Sequence, residues 1–382
     1  MSRAGSTLTG HANRDAPTPT HAAVVHASGQ PLSVEELQLR PVGRGELGVE
    51  IRAVGVCHSD LHLVAGDWPV DEILVGGHEA SGVVVDVGDG VEDVNVGDHV
   101  VLSWFVACRR CQNCLSGRAW LCTNTNAVAN RLPDGSTATT TADGDPVWPF
   151  LGLGAFSERV VIPSTAAVVV PDELPFEIGA LIGCSVTTGI GAVTQTAKVP
   201  YGASAVVFGC GGIGQSIILG LQLAGAEPII AIDLDRDRLE QADRLGATVL
   251  LDGAEPDLVD VVRELTSGGA DYVFEAIGKP STIEQCPPML RAGGVAVLAG
   301  MTAIGARASI DPFDLADQGK SILGCNYGSS VPAVDFPRIA RLYLTGRLPL
   351  DALIGRTRPL VEVNDALADL SAAAGLRTVL IP

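Results

Sequence analysis

The chain has 382 residues, which is too long for one ordinary hydrophobic core and predicts two domains. Apolar residues make up 47% of it, but no uninterrupted apolar run approaches the roughly eighteen residues that cross a bilayer, so we expect a soluble protein without a membrane partner. The formal charge is −19, and clustered Lys and Arg residues are scarce. Because phosphate contacts need such clusters, we do not expect nucleic acid as a partner.

The first twenty residues, MSRAGSTLTGHANRDAPTPT, lack the central apolar stretch of a secretory signal. Their Ser, Thr and Arg content is also found in transit peptides, but Pro17, Pro19 and the absence of amphipathic spacing favour a disordered tail over residues 1–20. Because no export signal is evident, we expect a cytoplasmic, reducing compartment. In such a compartment, closely spaced cysteines are metal ligands more often than disulfides.

The next part of the chain, from about residue 22 to 105, predicts a small β-barrel or sandwich. Its short β-branched runs, GVEIRAVGV, ASGVVVDVG and DHVVLSW, are separated by Gly and Asp turn residues. Residues 124–149 are rich in Thr, Asp, Gly and Pro and have no periodicity, so they are predicted to form a surface loop. The loop leads into the strand-like segment AFSERVVI.

Four cysteines lie close together in CRRCQNCLSGRAWLC, at Cys108, Cys111, Cys114 and Cys122. Their spacing places four thiolates on one compact loop, enough to close a tetrahedral shell around Zn²⁺ with no position left for substrate. An iron–sulfur cluster is the main alternative, since four thiolates also suit it. A redox pair of two thiols is a weaker interpretation, because it leaves the other two cysteines unexplained.

A second set of metal-binding residue types is spread over the segments GVCHSDLH, GGHEASG and GCSVTTG. Cys57, His78 and Cys184 together would form a Cys2His shell, which leaves a fourth position for water or a substrate oxygen. Taken singly, Cys184 is also explained as a small buried hydrophobe and His78 as a core histidine. The joint interpretation is stronger because three of the seven histidines, His58, His62 and His78, fall within CHSDLH and GGHE.

From about residue 204 the pattern changes to short apolar strands that alternate with helical stretches. The strands are SAVVF, PIIAID, ATVLL, DYVFEAI, VAVLAG and SILGCNY, and the helical segments include IGQSIILGLQLA, DRLEQADRLG, DLVDVVRELTSG and STIEQCPPMLRA. Six strands separated by crossover helices are typical of a doubly wound parallel sheet. The last segments, DFPRIARLYLTG, VNDALADL and LRTVLI, fit no such unit and are expected to rejoin the first domain.

The first of these strands runs into a G-x-G-x-x-G fingerprint at Gly209, Gly211 and Gly214. The first glycine permits a tight turn, the second lets a pyrophosphate approach the backbone, and the third lets helix and strand pack closely. A Gly-rich turn of any βα unit is the alternative, but Asp233 closes the next strand nineteen residues after Gly214. A carboxylate there accepts hydrogen bonds from ribose hydroxyls and repels a 2′-phosphate, which predicts NAD rather than NADP.

These motifs occur in an order and at spacings that resemble the zinc-dependent medium-chain alcohol dehydrogenases, from about residue 22 to the end. The resemblance implies an α/β protein with a GroES-like β-barrel catalytic domain, residues 21–187 and 328–382, and a doubly wound Rossmann domain, residues 188–327. It also implies two Zn²⁺ ions per chain, NAD, a small-molecule alcohol or aldehyde as substrate, and a homodimer or homotetramer.

The resemblance further implies roles for individual catalytic residues. The ligands of the catalytic zinc would be Cys57, His78 and Cys184, and those of the structural zinc would be the four clustered cysteines. Glu79 would lie behind the catalytic zinc, and Asp60 would orient the ring of His78. Ser59 would pass the alcohol proton through the cofactor ribose to His62, for which a solvent-exposed turn residue is the alternative interpretation.

Cofactor contacts are implied in the same way. The implied residues are His58, Thr188, Gly209, Gly211, Gly212, Ile213, Gly214, Asp233, Arg238 and Arg377. Among them, His58 and Arg377 match positions that contact the pyrophosphate, and Thr188 matches one that touches nicotinamide.

The substrate is the least constrained part of the prediction. Trp68 and Trp104 match pocket-lining positions, which favours small primary or flat benzylic alcohols, unless both indoles are packed as core. The long segment after the cysteine cluster and the motif FLGLGAFSE also resemble the class III, thiol-dependent formaldehyde dehydrogenases. However, Asn126 and Val70 stand where the glutathione-using branch has an arginine and an acidic residue. The nearest arginine is Arg131, so a different thiol, such as mycothiol, remains an alternative.

We therefore expect reversible, zinc-dependent oxidation of a primary or benzylic alcohol to the aldehyde, with hydride transfer to NAD. One alternative is a thiol-dependent formaldehyde dehydrogenase of the mycothiol type, and another is a dehydrogenase or reductase with a tightly bound nicotinamide cofactor. A regulatory protein that has lost catalysis is disfavoured, because both the metal set and the pair of Ser59 and His62 are intact.

Overall fold

The computed structural model describes residues 16–372 and 375–382. The predicted disordered tail falls mostly on residues 1–15, which lie outside the described residues. The prediction that this tail extends to residue 20 is wrong, because a strand begins at Thr18 and pairs antiparallel with residues 33–39. Thr20 is buried in this strand, and its hydroxyl lies 3.1 Å from that of Ser157.

The first part of the chain forms the predicted β-rich domain. Its strands are β1 (Thr18–Val25), β2 (Ser33–Leu39), β3 (Glu46–Gly55), β4 (Leu74–Val75), β5 (Glu79–Val87), β6 (His99–Leu102), β7 (Thr139–Thr140), β8 (Pro146–Pro149), β9 (Arg159–Pro163) and β10 (Ala167–Val169), and its helices are α1 (His58–Ala65) and α2 (Gln112–Leu115). Strands β1, β2, β7, β8 and β4 close a barrel, while β3 lies at the centre of a second sheet with β5, β6, β9 and β10.

The prediction of a surface loop over residues 124–149 is wrong for its second half. Thr139 pairs with Leu39, and Trp148 of β8 pairs with Leu74 of β4. The two strands have two and four residues, too few for an alternating pattern to be visible in the sequence. Their partners are distant in the chain, and this pairing closes the barrel.

One continuous helix follows, built from α3 (Phe176–Leu181), the π-helical segment Ile182–Val186, α4 (Thr187–Gly191) and the π-helical segment Ala192–Ala197. This helix of 22 residues is long and apolar enough to cross a membrane, but 89% of its apolar window is buried inside the protein, as in the core helix of a soluble protein. The predicted domain boundary between residues 187 and 188 lies in the middle of it, and the division into domains stays a prediction.

The predicted parallel sheet follows. Its strands are β11 (Ala205–Phe208), β12 (Ile229–Asp233), β13 (Val249–Asp252), β14 (Ala270–Glu275), β15 (Leu290–Leu298) and β16 (Ser321–Gly324), and its helices are α5 (Gly212–Ala224), α6 (Arg236–Arg244), α7 (Leu258–Leu265), α8 (Pro280–Ile283), α9 (Cys286–Met289) and α10 (Pro312–Asp317). The strand order is β13-β12-β11-β14-β15-β16 and every pairing is parallel. This order reverses beside β11, where doubly wound sheets bind their ligands.

The single helix predicted for STIEQCPPMLRA is two short helices, α8 and α9, and the segment's last three residues begin β15. Pro287 and Pro288 explain the interruption, because neither has a backbone amide to donate to a carbonyl oxygen of the preceding turn.

The end of the chain consists of α11 (Pro332–Leu344), β17 (Ile354–Pro359), α12 (Val363–Ser371) and β18 (Arg377–Ile381). Strand β18 pairs antiparallel with β3, with Val379 opposite Gly55. This pairing fits the expectation that the last segment rejoins the first domain, and the domain assignment stays a prediction. The return brings Arg377 between the barrel domain and the start of α5.

Candidate active site

The four clustered cysteines face one another around the short helix α2. Their ligand atoms all lie within 4.8 Å of one another. A tetrahedral zinc with Zn–S bonds of about 2.3 Å places its sulfurs about 3.8 Å apart. The sulfur of Cys111 lies 3.5 Å from that of Cys114 and 3.9 Å from that of Cys122. These separations fit one ion and are much longer than a disulfide bond of about 2.05 Å.

The backbone around the cluster stabilises thiolates. The amide of Cys108 donates to the sulfur of Cys122 at 3.2 Å, and the amide of Cys111 donates to the sulfur of Cys108 at 3.4 Å. Amide donors from Cys114 and Thr123 lower the pKa of Cys111 to about 6, whereas burial and the neighbouring thiols raise the pKa of Cys114 to about 12. With four sulfur ligands, the site has no free position for substrate.

The scattered set Cys57, His78 and Cys184 also converges on one buried point. Cys57 precedes α1, His78 precedes β5, and Cys184 lies in the first π-helical segment of the long core helix. Their ligand atoms lie within 4.8 Å of one another, and all three residues are buried. The Nε2 atom of His78 is buried without a hydrogen-bond partner, as expected for a nitrogen that serves a metal ion. The three residues therefore fit a zinc with one open position.

Asp60 holds two of these ligands from the first turn of α1. One carboxylate oxygen accepts the backbone amide of Cys57 at 3.0 Å, and the other accepts the amide of Gly77 at 3.2 Å. The second oxygen also lies 3.2 Å from Nδ1 of His78. Because an ionised carboxylate only accepts hydrogen bonds, Nδ1 carries the proton and Nε2 is left as the metal-binding nitrogen. The predicted orienting role of Asp60 agrees with this arrangement.

Burial and charge shift the pKa values of the three ligands. The shared proton between the two buried thiols lowers the pKa of Cys57 and raises that of Cys184, and the positive charge of Arg377 favours the Cys57 thiolate. Burial lowers the pKa of His78, but the Asp60 carboxylate and Cys57 outweigh burial and raise that pKa well above its ordinary value.

Glu79 follows His78 in the chain and is fully buried, and its place behind the catalytic zinc stays a prediction. It forms an ion pair with Arg377 and accepts the amide and the hydroxyl of Ser185 at 2.9 and 2.6 Å. Burial raises the pKa of Glu79, and the Arg377 charge opposes that increase. Ser185 follows Cys184 in the chain, so the carboxylate is connected to a metal-binding residue through one hydrogen-bonding neighbour.

A cleft lies between the barrel domain and the start of α5. Predicted cofactor-binding residues line it, namely His58, Gly211, Gly212, Arg238 and Arg377. Arg377 also donates to the carbonyl oxygen of Val56 at 2.9 Å, while its Nε is buried without a partner. The guanidinium groups of Arg238 and Arg377, beside the N-terminus of α5, suit a pyrophosphate. Burial lowers the pKa of the third basic residue, His58.

The local geometry of the fingerprint glycines fits the roles predicted for them, which stay predictions. Gly209 adopts a φ of +95°, which favours glycine, and a Cβ at Gly214 would lie 1.8 Å from the carbonyl oxygen of Gly209. By contrast, a Cβ at Gly211 would meet no protein atom within 4 Å, so this backbone faces open space that a phosphate can enter. Ile213, between Gly212 and Gly214, packs against the main core.

Asp233 lies at the end of β12, beside this turn. Its carboxylate accepts the amide of Cys210 at 2.6 Å and that of Asp235 at 2.9 Å. A carboxylate has about four acceptor positions, so ribose hydroxyls find acceptor capacity here. Thr188 is buried in α4, and the backbone of Gly328 packs closely against its carbonyl group.

Ser59 and His62 lie on α1 near the metal-binding residues. The Ser59 hydroxyl lies 4.0 Å from the sulfur of Cys57. Nδ1 of His62 lies 2.7 Å from a carboxylate oxygen of Asp67, a residue that the sequence did not single out. Trp68 stacks on the His62 ring, with centroids 5.0 Å apart, and its indole N–H donates to the carbonyl oxygen of Thr302. In the structure Trp68 is thus a neighbour of His62, and its role in the pocket stays a prediction.

Trp104 lies against the metal-binding histidine, with ring centroids 6.5 Å apart in an edge-on arrangement. Two further aromatic residues lie near His78 and Trp104, and the sequence did not predict either of them at this site. Phe150 is edge-on to His78 at 5.7 Å, and Tyr327 packs against Trp104 at 4.7 Å. The Tyr327 hydroxyl donates to the carbonyl oxygen of Gly183, next to Cys184. The only sequence signal for Phe150 is its place in FLGLGAFSE, and Tyr327 had none.

In the segment after the cysteine cluster, the side chains of Asn126 and Arg131 already have partners within the protein. Asn126 donates to the carbonyl oxygens of Leu132 and Pro133. Arg131 forms a two-pronged ion pair with Glu72, and its guanidinium lies 3.4 Å above the ring of Trp148. Arg131 is therefore already engaged and does not present a free charge to a ligand carboxylate.

Two family models match this chain. The alcohol dehydrogenase GroES-like domain matches residues 43–172, and the zinc-binding dehydrogenase domain matches residues 212–344. An S-(hydroxymethyl)glutathione dehydrogenase of Paracoccus denitrificans is 37% identical over 377 residues, covering 95% of this chain and 99% of that protein.

Solved structures agree with the sequence relatives. An alcohol dehydrogenase zinc-binding domain protein of Burkholderia ambifaria is 36% identical, with a TM-score of 0.91 over 96% of this chain and 100% of that one. The benzyl alcohol dehydrogenase of Acinetobacter calcoaceticus is 31% identical, with a TM-score of 0.88 over 95% of this chain and 99% of that one.

Proposed function

Because the chain belongs to the zinc-dependent medium-chain alcohol dehydrogenases, near the branch that holds the S-(hydroxymethyl)glutathione dehydrogenases, we propose that it oxidises the S-hydroxymethyl adduct of a small thiol with formaldehyde. The reaction converts the adduct, R–S–CH2–OH, and NAD⁺ into the thioester R–S–CHO, NADH and a proton. The observation that carries the proposal is the 37% identity to an enzyme of that name over 95% of this chain.

We propose that the thiol is not glutathione. In the glutathione-using branch an arginine holds a glutathione carboxylate, but Asn126 occupies that position here and is bonded to its own loop. Arg131 is neutralised by Glu72, and Val70 offers no charge for the amino group of a peptide thiol. A thiol without peptide carboxylates, of the mycothiol type, fits these side chains better.

Cys57, His78 and Cys184 would hold a Zn²⁺ ion, which would supply a Lewis acid at the alcohol oxygen, and NAD in the cofactor cleft would supply the hydride acceptor. Asp60 keeps the proton of His78 on Nδ1, and two thiolates balance the charge of the ion. Glu79 keeps Arg377 in place beside the cofactor cleft. Ser59 takes up the hydroxyl proton, and His62 is the acceptor that returns it to solvent.

A flat benzylic alcohol is the second candidate substrate. Trp104 and Phe150 lie edge-on to His78, and Tyr327 packs against Trp104. Aromatic surfaces bind aromatic ligands by stacked or edge-on contacts. The similarity to the benzyl alcohol dehydrogenase of Acinetobacter calcoaceticus supports this candidate. This was the expectation from the sequence, and the relatives of the chain favour the thiol adduct over it.

One assay distinguishes the two candidate substrates, the thiol adduct of formaldehyde and a benzylic alcohol. NADH formation is measured with zinc-loaded protein and formaldehyde, alone or with glutathione or mycothiol, and in parallel with benzyl alcohol. We expect formaldehyde oxidation to depend on mycothiol and to exceed the rate with benzyl alcohol. If benzyl alcohol has the larger kcat/KM and thiols have no effect, the chain oxidises benzylic alcohols instead.

We also propose a cytoplasmic homodimer or homotetramer. All nine cysteines are free thiols, which fits a reducing compartment. Strand β16 ends its sheet, and the segment before it exposes Met301, Ile304 and Phe313 by 57%, 76% and 75%. An open strand edge beside exposed apolar side chains suits a contact between two copies. Light scattering after gel filtration tests the assembly, and a mass of one chain would contradict it.

A further inference from the structure

His62 has a carboxylate partner that lies outside the metal and cofactor sites. Helix α1 ends at Ala65 and is capped by Gly66, which adopts a φ of +82°. This turn brings Asp67 back beside the helix. The carboxylate of Asp67 then lies 2.7 Å from Nδ1 of His62. The Asp67 side chain is 44% exposed and that of His62 is 20% exposed, so solvent reaches both members of the pair.

The contact determines which nitrogen of His62 can accept a proton. An ionised carboxylate has no proton to donate, so the neutral ring must carry its hydrogen on Nδ1. Nε2 then keeps its lone pair and is the nitrogen that can act as a base. Without Asp67, the hydrogen could lie on either nitrogen, and part of the population would present an N–H where a base is needed.

A second element holds Asp67 and Trp68 in position. The backbone amide of Ile304 donates to the carbonyl oxygen of Asp67 at 3.4 Å, and the indole of Trp68 donates to the carbonyl oxygen of Thr302 at 3.3 Å. Thr302, which accepts, and Ile304, which donates, lie in the segment that follows β15 of the parallel sheet. The turn that orients His62 is therefore supported across the cleft between the two parts of the molecule.

We propose that Asp67 is a positioning residue for proton release: it holds the hydrogen of His62 on Nδ1, so that Nε2 faces the departing proton as a base. Trp68 restricts the ring by stacking on it. The inference rests on the proposed role of His62 as the proton acceptor, but the tautomer itself can be measured without turnover.

The test uses nitrogen NMR of the zinc-loaded NAD complex with labelled histidine. His62→Gln assigns the His62 signals, and Asp67→Ala removes the carboxylate. Asp71→Ala is the matched control, since Asp71 is an exposed acidic residue in the same turn region. We expect the wild type and the control to show the hydrogen on Nδ1, and Asp67→Ala to move it largely to Nε2. Asp67→Glu, which restores a carboxylate, should recover part of the wild-type pattern.

Kinetics provide a second readout. In Asp67→Ala we expect kcat to fall about tenfold while KM stays within about twofold, because only proton transfer is affected. Added imidazole should restore part of the rate by serving as an external base. Zinc content and thermal stability close to wild type would confirm that the variant is folded.

The nitrogen that carries the hydrogen in the His62 ring is the measurement that decides whether the proposal holds. If Asp67→Ala keeps the nitrogen signals of the wild type, the proposal is wrong whatever the rate. If the signals change but the wild-type protein oxidises no alcohol or thiol adduct, Asp67 still sets the tautomer of His62, and the proposed function fails.

Discussion

Asp60→Asn is the substitution that most sharply tests how the catalytic zinc site is built. The Asp60 carboxylate accepts three hydrogen bonds, from the amides of Cys57 and Gly77 and from Nδ1 of His78. Asparagine keeps the shape but has one oxygen and one NH2 group. In either orientation its NH2 group faces at least one of these three donors, and a buried donor is left without an acceptor.

The size of the effect follows from this count. One unsatisfied buried donor costs about 1–3 kcal/mol, and loss of a residue that orients a metal ligand typically weakens metal binding by about 10–100-fold. A factor of 10–100 corresponds to about 1.4–2.8 kcal/mol. The two figures agree, so we expect zinc affinity at this site to fall by that factor, with turnover falling in parallel at limiting zinc.

The assay is equilibrium competition for zinc with a coloured chelator. Asp98→Asn is the matched control, because Asp98 accepts an amide of Asn95 in an exposed turn of the same domain. The control should bind zinc like the wild type. A zinc affinity of Asp60→Asn within about twofold of wild type would refute the reasoning that Asp60 orients the ligands.

Further predictions concern the two metal sites and the cofactor site. Cys184→Ala should remove one zinc and abolish turnover, whereas Cys111→Ala should remove the other and lower thermal stability first. Metal analysis would contradict the assignment if Cys184→Ala kept both zincs. Gly211→Ala should fold normally and weaken NAD binding, because its Cβ meets no protein atom, whereas Gly214→Ala should destabilise the fold, because its Cβ would lie 1.8 Å from a carbonyl oxygen. NAD titration and thermal unfolding separate them, and equal effects on both would count against these roles. Asp233→Gly should weaken NAD relative to NADP in steady-state kinetics, and an unchanged preference would oppose the predicted ribose contact.

Much of the fold could be predicted because its signals are local. The six strands of the parallel sheet are short apolar runs bounded by turns, and the G-x-G-x-x-G turn identifies itself by three glycines. The metal ligands were found through motif order, since Cys57 and Cys184 are 127 residues apart and no spacing rule joins them. Convergence of these residues is a property of the tertiary fold, which brings their ligand atoms within 4.8 Å of one another.

The features that the sequence did not predict depend on distant partners. Strands β7 and β8 have too few residues for a pattern, and they exist because they pair with β2 and β4. Tyr327 reaches Trp104 only because the end of β16 lies beside the long core helix. Asp67 is one acidic residue among 44 in the chain, and only the turn after α1 brings it to His62.

The most direct test of the account is a diffraction experiment at the zinc absorption edge on crystals of the zinc-loaded NAD complex. We predict two anomalous peaks per chain, one among the four clustered sulfurs and one among Cys57, His78 and Cys184, with the nicotinamide beside the second. A single peak at the cysteine cluster, or a nicotinamide remote from Cys57, would contradict the conclusion that the chemistry takes place at the scattered set.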